Sequence, residues 1–263
     1  MNATLEGKRI AIVGGTTGLG LSAAQALVTR GAWVAVSGRS PESLERALSL
    51  LGERALGVVG DAAVSGSSET LVAKLVETRG GLDGLYHVAG GSGRSWGDGP
   101  LHELTDDGWS RTLDLNLTSL MLSNRAAVKQ FRSQGTGGAL LNMGSVLGFS
   151  PSPEHFSAHA YAAAKSAVIG FSRSLAARYA CDNIRVNVIA PALVETPMSQ
   201  RARENDDIMR FIQAKQPLDG GRIGLPGDLD EAVCFLLGSG AAFVTGQVLA
   251  VDGGWCVSEG RDW

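Results

Sequence analysis

The chain has 263 residues, 44% hydrophobic and 19% charged, with a net charge of −3 and 36 glycines. That balance suits a globular protein with a full core, and the glycines, about twice the ~7% typical share, point to tight turns rather than disorder. The mild acidity and lack of a basic stripe argue against nucleic acid as a partner, and no apolar run approaches the ~18 residues of a membrane span.

Three scattered cysteines, Cys181, Cys234 and Cys256, offer neither a disulfide framework nor a zinc site and suit a reducing, cytoplasmic setting, with no metal expected. The opening MNATLEGKRIAIVGG has an acid before its bases and breaks early into glycines, unlike a signal peptide. In chain order, RIAIV is a first strand and GLGLSAAQALVTRG the helix after it. WVAVS is a second strand. PESLERALSLLG is a helix, opened by Pro41 and closed by Gly52. ALGVVG, the helix SSETLVAKLVETRG and the strand in LDGLYHVAGG follow. A long helical stretch runs from about 105 to 134. GALLNMGS is a fifth strand, followed by a helix reaching about Ala180. IRVNVIAP, a helix near 228–237 and QVLAVDGG complete the series. Such alternation predicts βαβ units and one α/β domain, 1–263, with a parallel sheet covered on both faces. Two segments are expected to be loops over a cleft: residues 90–100, and the charged, strand-free stretch of about 198–224, which would form a substrate lid.

The first strand runs into GGTTGLG, with Gly14, Gly18 and Gly20 in the pattern. Glycines there permit a tight turn, close approach to a pyrophosphate and close packing of helix on strand. The following helix start offers free N–H groups to the anion. The second strand ends VAVSGRS, placing Arg39 where an NAD-binding carboxylate would stand; an arginine without the acid suits the 2′-phosphate of NADP. NADP(H) is therefore the expected cofactor and NAD(H) the alternative. Asp61 closes the third strand and either bonds the adenine edge or caps the next turn.

YAAAK sets Tyr161 and Lys165 four residues apart on an alanine-rich helix, hence on one face. Together, GGTTGLG, Asp61, HVAGG, LDLNLTS, NMGSVLG, YAAAK, IRVNVIAPALVETPM and the tail from GRIGLPGDLDEAV to QVLAVDGG resemble the short-chain dehydrogenase/reductase family in its single-domain form, akin to 3-oxoacyl-acyl-carrier-protein reductases. The resemblance implies a Rossmann-type doubly wound sheet of seven parallel strands in the order 3-2-1-4-5-6-7. It implies hydride transfer between NAD(P) and a carbonyl or secondary alcohol, with Asn116, Ser145, Tyr161 and Lys165 catalytic. It further implies a cofactor site of Gly14, Thr16, Thr17, Gly18, Leu19, Gly20, Arg39, Asp61, Ala62, Ala89, Gly90, Tyr161, Lys165, Pro191, Val194 and Thr196, and a homotetramer. Asn116 would hold a water linking Lys165 to solvent. The chain departs from the family pattern at Val88, which replaces an asparagine, at Ala192, which replaces a glycine, and in a longer segment at 150–159.

A tyrosine ordinarily ionises near 10, so exchange near neutral pH asks for a fall of roughly 3, about 4 kcal/mol in favour of phenolate. Lys165 on the same face is expected to supply that fall. Trp96, Phe149, His155, Phe156 and Met198 are the candidate substrate wall, with Glu154 and His159 as further polar candidates. His87 reads as a core histidine. Trp255 and Trp263 are candidates for a subunit interface, and Arg94, Arg201, Arg203 and Arg210 for a basic patch by the cleft. The alternatives are an NAD-dependent dehydrogenase of a sugar, polyol or other alcohol and, more remotely, a cofactor-sensing regulator, which would have lost one of the four catalytic residues.

Overall fold

The structure is a computed structural model and describes residues 5–261. Seven strands, β1 (Arg9–Val13), β2 (Trp33–Gly38), β3 (Ala55–Val59), β4 (Gly84–His87), β5 (Gly138–Met143), β6 (Ile184–Pro191) and β7 (Val248–Val251), form one sheet ordered β3-β2-β1-β4-β5-β6-β7. Every pairing is parallel, with Ile12 of β1 beside Val36 on one side and Tyr86 on the other. Alternate residues of a strand face opposite ways. Ile10 and Ile12 accordingly join one core layer with Leu27, Val233 and Leu237. Ala11 and Val13 join the other with Leu71, Leu75 and Phe131.

The helices are α1 (Gly18–Thr29), α2 (Pro41–Leu51), α3 (Ser67–Arg79), α4 (Asp106–Leu113), α5 (Ser119–Gln134), α6 (His159–Tyr179), α7 (Gln200–Arg203), α8 (Asp206–Lys215) and α9 (Asp230–Leu237). The stretch expected as one helix over 105–134 is α4 and α5 joined by a π-helical turn, Asp114–Thr118, in which Ser119 N–H donates to the Asp114 carbonyl. The segment 198–224, read as loop, contains α7 and α8. Asn205 caps α8 by accepting from Ile208 N–H at 3.0 Å, and Ile208 and Ile212 pack with Val146, Ala202 and Trp255. The segment is thus held beneath its charged surface by a small apolar cluster shared with Val146 and Trp255.

Strand order reverses between β1 and β4, and the carboxyl ends of the strands open there into a crevice, as doubly wound sheets require. Beside it, His87 is buried. Its Nδ1 lies 2.8 Å from Ser123 Oγ and its Nε2 3.3 Å from Ser119 Oγ. Burial, with Lys165 nearby, pushes the imidazole down to about 3, so it is a neutral, satisfied core group. The sheet centre, where Val88 replaces the expected asparagine, is tied to its neighbours by another pair. Asn142 and Asn124 exchange amide hydrogen bonds at 2.8 and 2.9 Å, and Asn142 donates on to Ser172 Oγ.

Candidate active site

A cavity of about 1040 Å³ runs along the crevice, at the upper end of the ~300–1,000 Å³ of ligand pockets. One end is the glycine turn. Gly14 has φ +87°, and a Cβ there would lie 2.7 Å from Ala89 N. Gly20 does not line the cavity; a Cβ on it would strike the Gly14 carbonyl at 2.1 Å, so its role is to let α1 sit against β1. No side chain caps the start of α1 and no acid lies in its first turn. Thr17, Gly18 and Leu19 therefore bring an uncapped helix N-terminus to the cavity wall, which suits a pyrophosphate. Thr16, Arg39, Asp61, Ala62, Ala89, Gly90, Pro191, Val194 and Thr196 also line it, as do Ser37, Gly38, Ser40, Ser43 and Gly60 around the end of β2. Arg39 is exposed and carries no ion pair among the described residues. Asp61 Oδ1 accepts from Ala63 N–H at 2.9 Å, so it caps the turn while the residue still faces the cavity. These features fit a dinucleotide.

Halfway along, Ser145, Tyr161 and Lys165 meet at the wall. Helix α6 comes close because its buried face is mostly small: Ala160, Ala164, Ser172 and Ala176. It packs on the turn after Ser145 because Gly148 has no side chain; a Cβ there would lie 2.9 Å from the Lys165 carbonyl carbon. Lys165 is buried, donates to the Met143 carbonyl at 2.9 Å and stands 5.5 Å from the Tyr161 ring centre. Burial pulls its ammonium down to about 8. Tyr161 departs from the expectation: its pKa is raised, because the loss of water around the phenol outweighs the lowering by Ser145. Asn116, in the π turn, accepts from Gly91 N–H at 3.0 Å and donates to the Gly91 and Thr112 carbonyls at 2.9 Å. Its side chain thus clamps the loop after β4.

Two supporting residues went unread in the sequence. Ala158 gives α6 no side-chain cap. Buried Asp98, from the 90–100 loop, supplies it: its two oxygens accept from Ala160 N–H at 2.9 Å and Tyr161 N–H at 3.0 Å. Buried Gln216 accepts from Leu193 N–H at 2.9 Å and donates to the Leu193 carbonyl at 3.2 Å, bracing the chain beyond β6 from the end of α8. Signals existed for neither, because each pairs groups far apart in sequence.

Of the five candidate substrate residues, Phe156 and Met198 line the cavity. Trp96, Phe149 and His155 do not. Trp96 lies under the Arg111 guanidinium, Phe149 projects outward at 47% exposure, and the His155 ring packs on Phe211 at 4.8 Å. Neither Glu154 nor His159 faces the cavity, and among the described residues no three His, Cys, Asp or Glu side chains are placed to hold a metal ion. Trp255 is not at an interface of this chain's surface: it is 1% exposed, packs edge-on against Phe156 and Phe211, and roofs the cavity. Trp263 lies outside the described residues.

A family model described as enoyl-(acyl carrier protein) reductase matches residues 13–256. A 2,5-dichloro-2,5-cyclohexadiene-1,4-diol dehydrogenase of Sphingobium indicum is 34% identical over 252 residues, covering 95% of this chain and 98% of that protein. A cis-4-hydroxycyclohexanecarboxylate dehydrogenase of Sinomonas cyclohexanicum is 35% identical over 251 residues, covering 94% and 96%. Among solved structures, a short-chain type dehydrogenase/reductase from Mycobacterium ulcerans matches with TM-score 0.89 at 29% identity over 98% of this chain and 93% of that one. Levodione reductase matches with TM-score 0.85 at 30% identity over 95% and 97%. Fold, site and relatives together define an NAD(P)-dependent oxidoreductase that moves a hydride between nicotinamide and a carbonyl or alcohol. The chain belongs to the short-chain dehydrogenase/reductase family.

Proposed function

We propose that Tyr161 is the general acid and base of this reaction, that Ser145 and Lys165 act with it, and that NADP(H) is the preferred cofactor. The observation that carries this reading is the meeting of Ser145, Tyr161 and Lys165 on one wall of a cavity that continues to the glycine turn. A nicotinamide cofactor held along the glycine turn and by Val194 and Thr196 would supply or take up the hydride. In reduction the Tyr161 phenol, held protonated by its surroundings, donates its proton to the carbonyl oxygen. Ser145 Oγ, which accepts from Leu147 N–H at 3.2 Å and is hydrogen-bonded to the Tyr161 phenol, turns its own proton to that same oxygen when substrate is bound. Proton donation leaves Tyr161 as a phenolate, and in oxidation it is this phenolate that takes the alcohol proton; in both directions Lys165 serves as the cation that stabilises the ionised form. Asn116 fixes the loop facing Lys165, and its remaining lone pair suits a water linking that amine to solvent.

Arg39, at the end of β2 and without an ion pair among the described residues, supports recognition of the 2′-phosphate; an NAD-using alcohol dehydrogenase is the competing reading. Segment 198–224, through α7 and α8, is the proposed cover of the substrate end. Exposed Phe243, Val257 and Leu249 at and near the β7 edge support assembly into a homotetramer, and the three free cysteines support a cytoplasmic setting. The test is Tyr161→Phe. Turnover should fall at least ~10³-fold while NADPH affinity, read by fluorescence titration, stays within about twofold. Substantial residual turnover would remove Tyr161 from the role.

A further inference from the structure

Arg94 stands in the short turn Arg94–Trp96 of the loop after β4, and Arg201 on α7. The two segments are far apart in sequence, yet both side chains line the substrate end of the cavity. Both point Nη2 at one atom, the His155 carbonyl oxygen, at 3.4 Å and 3.2 Å. A single neutral oxygen is a poor partner for two cations. Neither guanidinium has an ion pair among the described residues. The nearest carboxylate to act on Arg94 is Asp98, whose oxygens are taken by the Ala160 and Tyr161 amides. Arg94 is half-buried, and burial together with the Arg201 charge holds its pKa down, so the pair repel each other where they meet. Asp61, beside the glycine turn, is the only acid among the lining residues; the lining also holds Leu147, Phe156, Leu193, Met198 and Trp255, with Ser92, Ser95 and Ser199 next to the arginines in sequence.

Two convergent guanidiniums offer up to ten N–H donors in forks that match a planar oxyanion. Resting on the hydride-transfer reading above, we propose that Arg94 and Arg201 form an anion clamp, so that the alcohol or ketone taken by this site is a hydroxy or keto acid whose carboxylate lies across the two arginines. The apolar wall then covers the carbon skeleton between the carboxylate and the reacting carbon at Tyr161 and Ser145.

The experiment uses a panel of linear and cyclic keto acids of graded length, each paired with its methyl ester, assayed with NADPH and NADH. At least one acid should exceed its ester in kcat/KM by roughly 10- to 100-fold, the range for a charge-assisted hydrogen bond. Arg94→Gln and Arg201→Gln should each remove that margin, chiefly through the KM of the acid, lowering acid turnover far more than ester turnover and keeping NADPH affinity; Arg201→Lys should recover only part of the margin. Equal turnover of acids and esters, or equal losses on both in the variants, would overturn the clamp. So would a comparable loss of NADPH affinity, which would make the arginines cofactor contacts. A second readout is independent of turnover: cyclohexanecarboxylate, which has no carbonyl to reduce, should raise the melting temperature of the wild-type protein more than of either Gln variant, and cyclohexylmethanol should not discriminate. If that binding difference holds while no panel member is turned over, the clamp stands and the catalytic reading falls. If no difference is seen, the clamp falls whatever the turnover.

Discussion

Lys165→Met should make the cofactor-free protein more stable. The side chain is 2% exposed and carries its ammonium with one hydrogen-bond partner. Burial takes its pKa from 10.5 to about 8. At ~1.36 kcal/mol per pH unit, keeping it protonated in the fold at pH 7 costs about 3 kcal/mol. Methionine fills similar space without charge, but leaves the Met143 carbonyl without its donor, a loss of about 1 kcal/mol. The net gain is about 2 kcal/mol, or roughly 4–8 °C in melting temperature for a chain of this size. The sign with pH follows from the folded value lying below the unfolded one. The cost of Lys165 is complete below about 8 and disappears as pH rises towards 10.5, where the unfolded chain also gives up its proton. Urea unfolding of both proteins without cofactor, from pH 7 to 10, should therefore show the variant's advantage shrinking to nothing or reversing. A variant less stable at pH 7, or a difference that ignores pH, would refute the reasoning. Turnover should be lost in either case.

Asp98→Asn leaves one of the two N–H groups at the start of α6 without its acceptor and should cost about 1–2 kcal/mol in urea unfolding, with kcat lowered and NADPH affinity kept; wild-type stability and kcat would show the cap to be dispensable. Arg39→Gln should weaken NADPH roughly 10- to 100-fold in fluorescence titration without touching NADH, and equal effects on both would make Arg39 a bystander. Gly14→Ala forces a Cβ to 2.7 Å from Ala89 N at a φ of +87°. It should lower stability by about 1–3 kcal/mol and abolish cofactor binding; a melting temperature within about 1 °C of wild type would contradict the close approach.

The strand and helix alternation was legible because each element carries its own periodicity and punctuation, and GGTTGLG and YAAAK were legible because their spacing is local. Helix α8 was missed although its signals were present: Asn205 as cap, Asp206 and Asp207 in the first turn, Ile208 and Ile212 four apart. The surrounding charges masked a narrow apolar stripe. The raised Tyr161 pKa was not legible at all. The sequence announces a lysine four residues away, but the cost of removing water from the phenol depends on what the fold places around it, and where the ammonium turns depends on Met143, at the end of β5. The same holds for Trp255, which as a late, isolated aromatic suggested a surface contact and in the fold is a roof, and for His155, whose backbone oxygen rather than its ring faces the two arginines.

Asp98 has a consequence beyond capping. Its carboxylate grips the first turn of α6 while its backbone belongs to the loop that carries Arg94. The hydroxyl of Tyr161 and the guanidinium of Arg94 are therefore surveyed from one fixed point. The two hydrogen bonds fix the loop and the helix start relative to each other. Under the proposed assignments, the distance between them acts as a ruler built into the wall of the cavity, one end at the proposed proton donor and the other at the proposed carboxylate clamp.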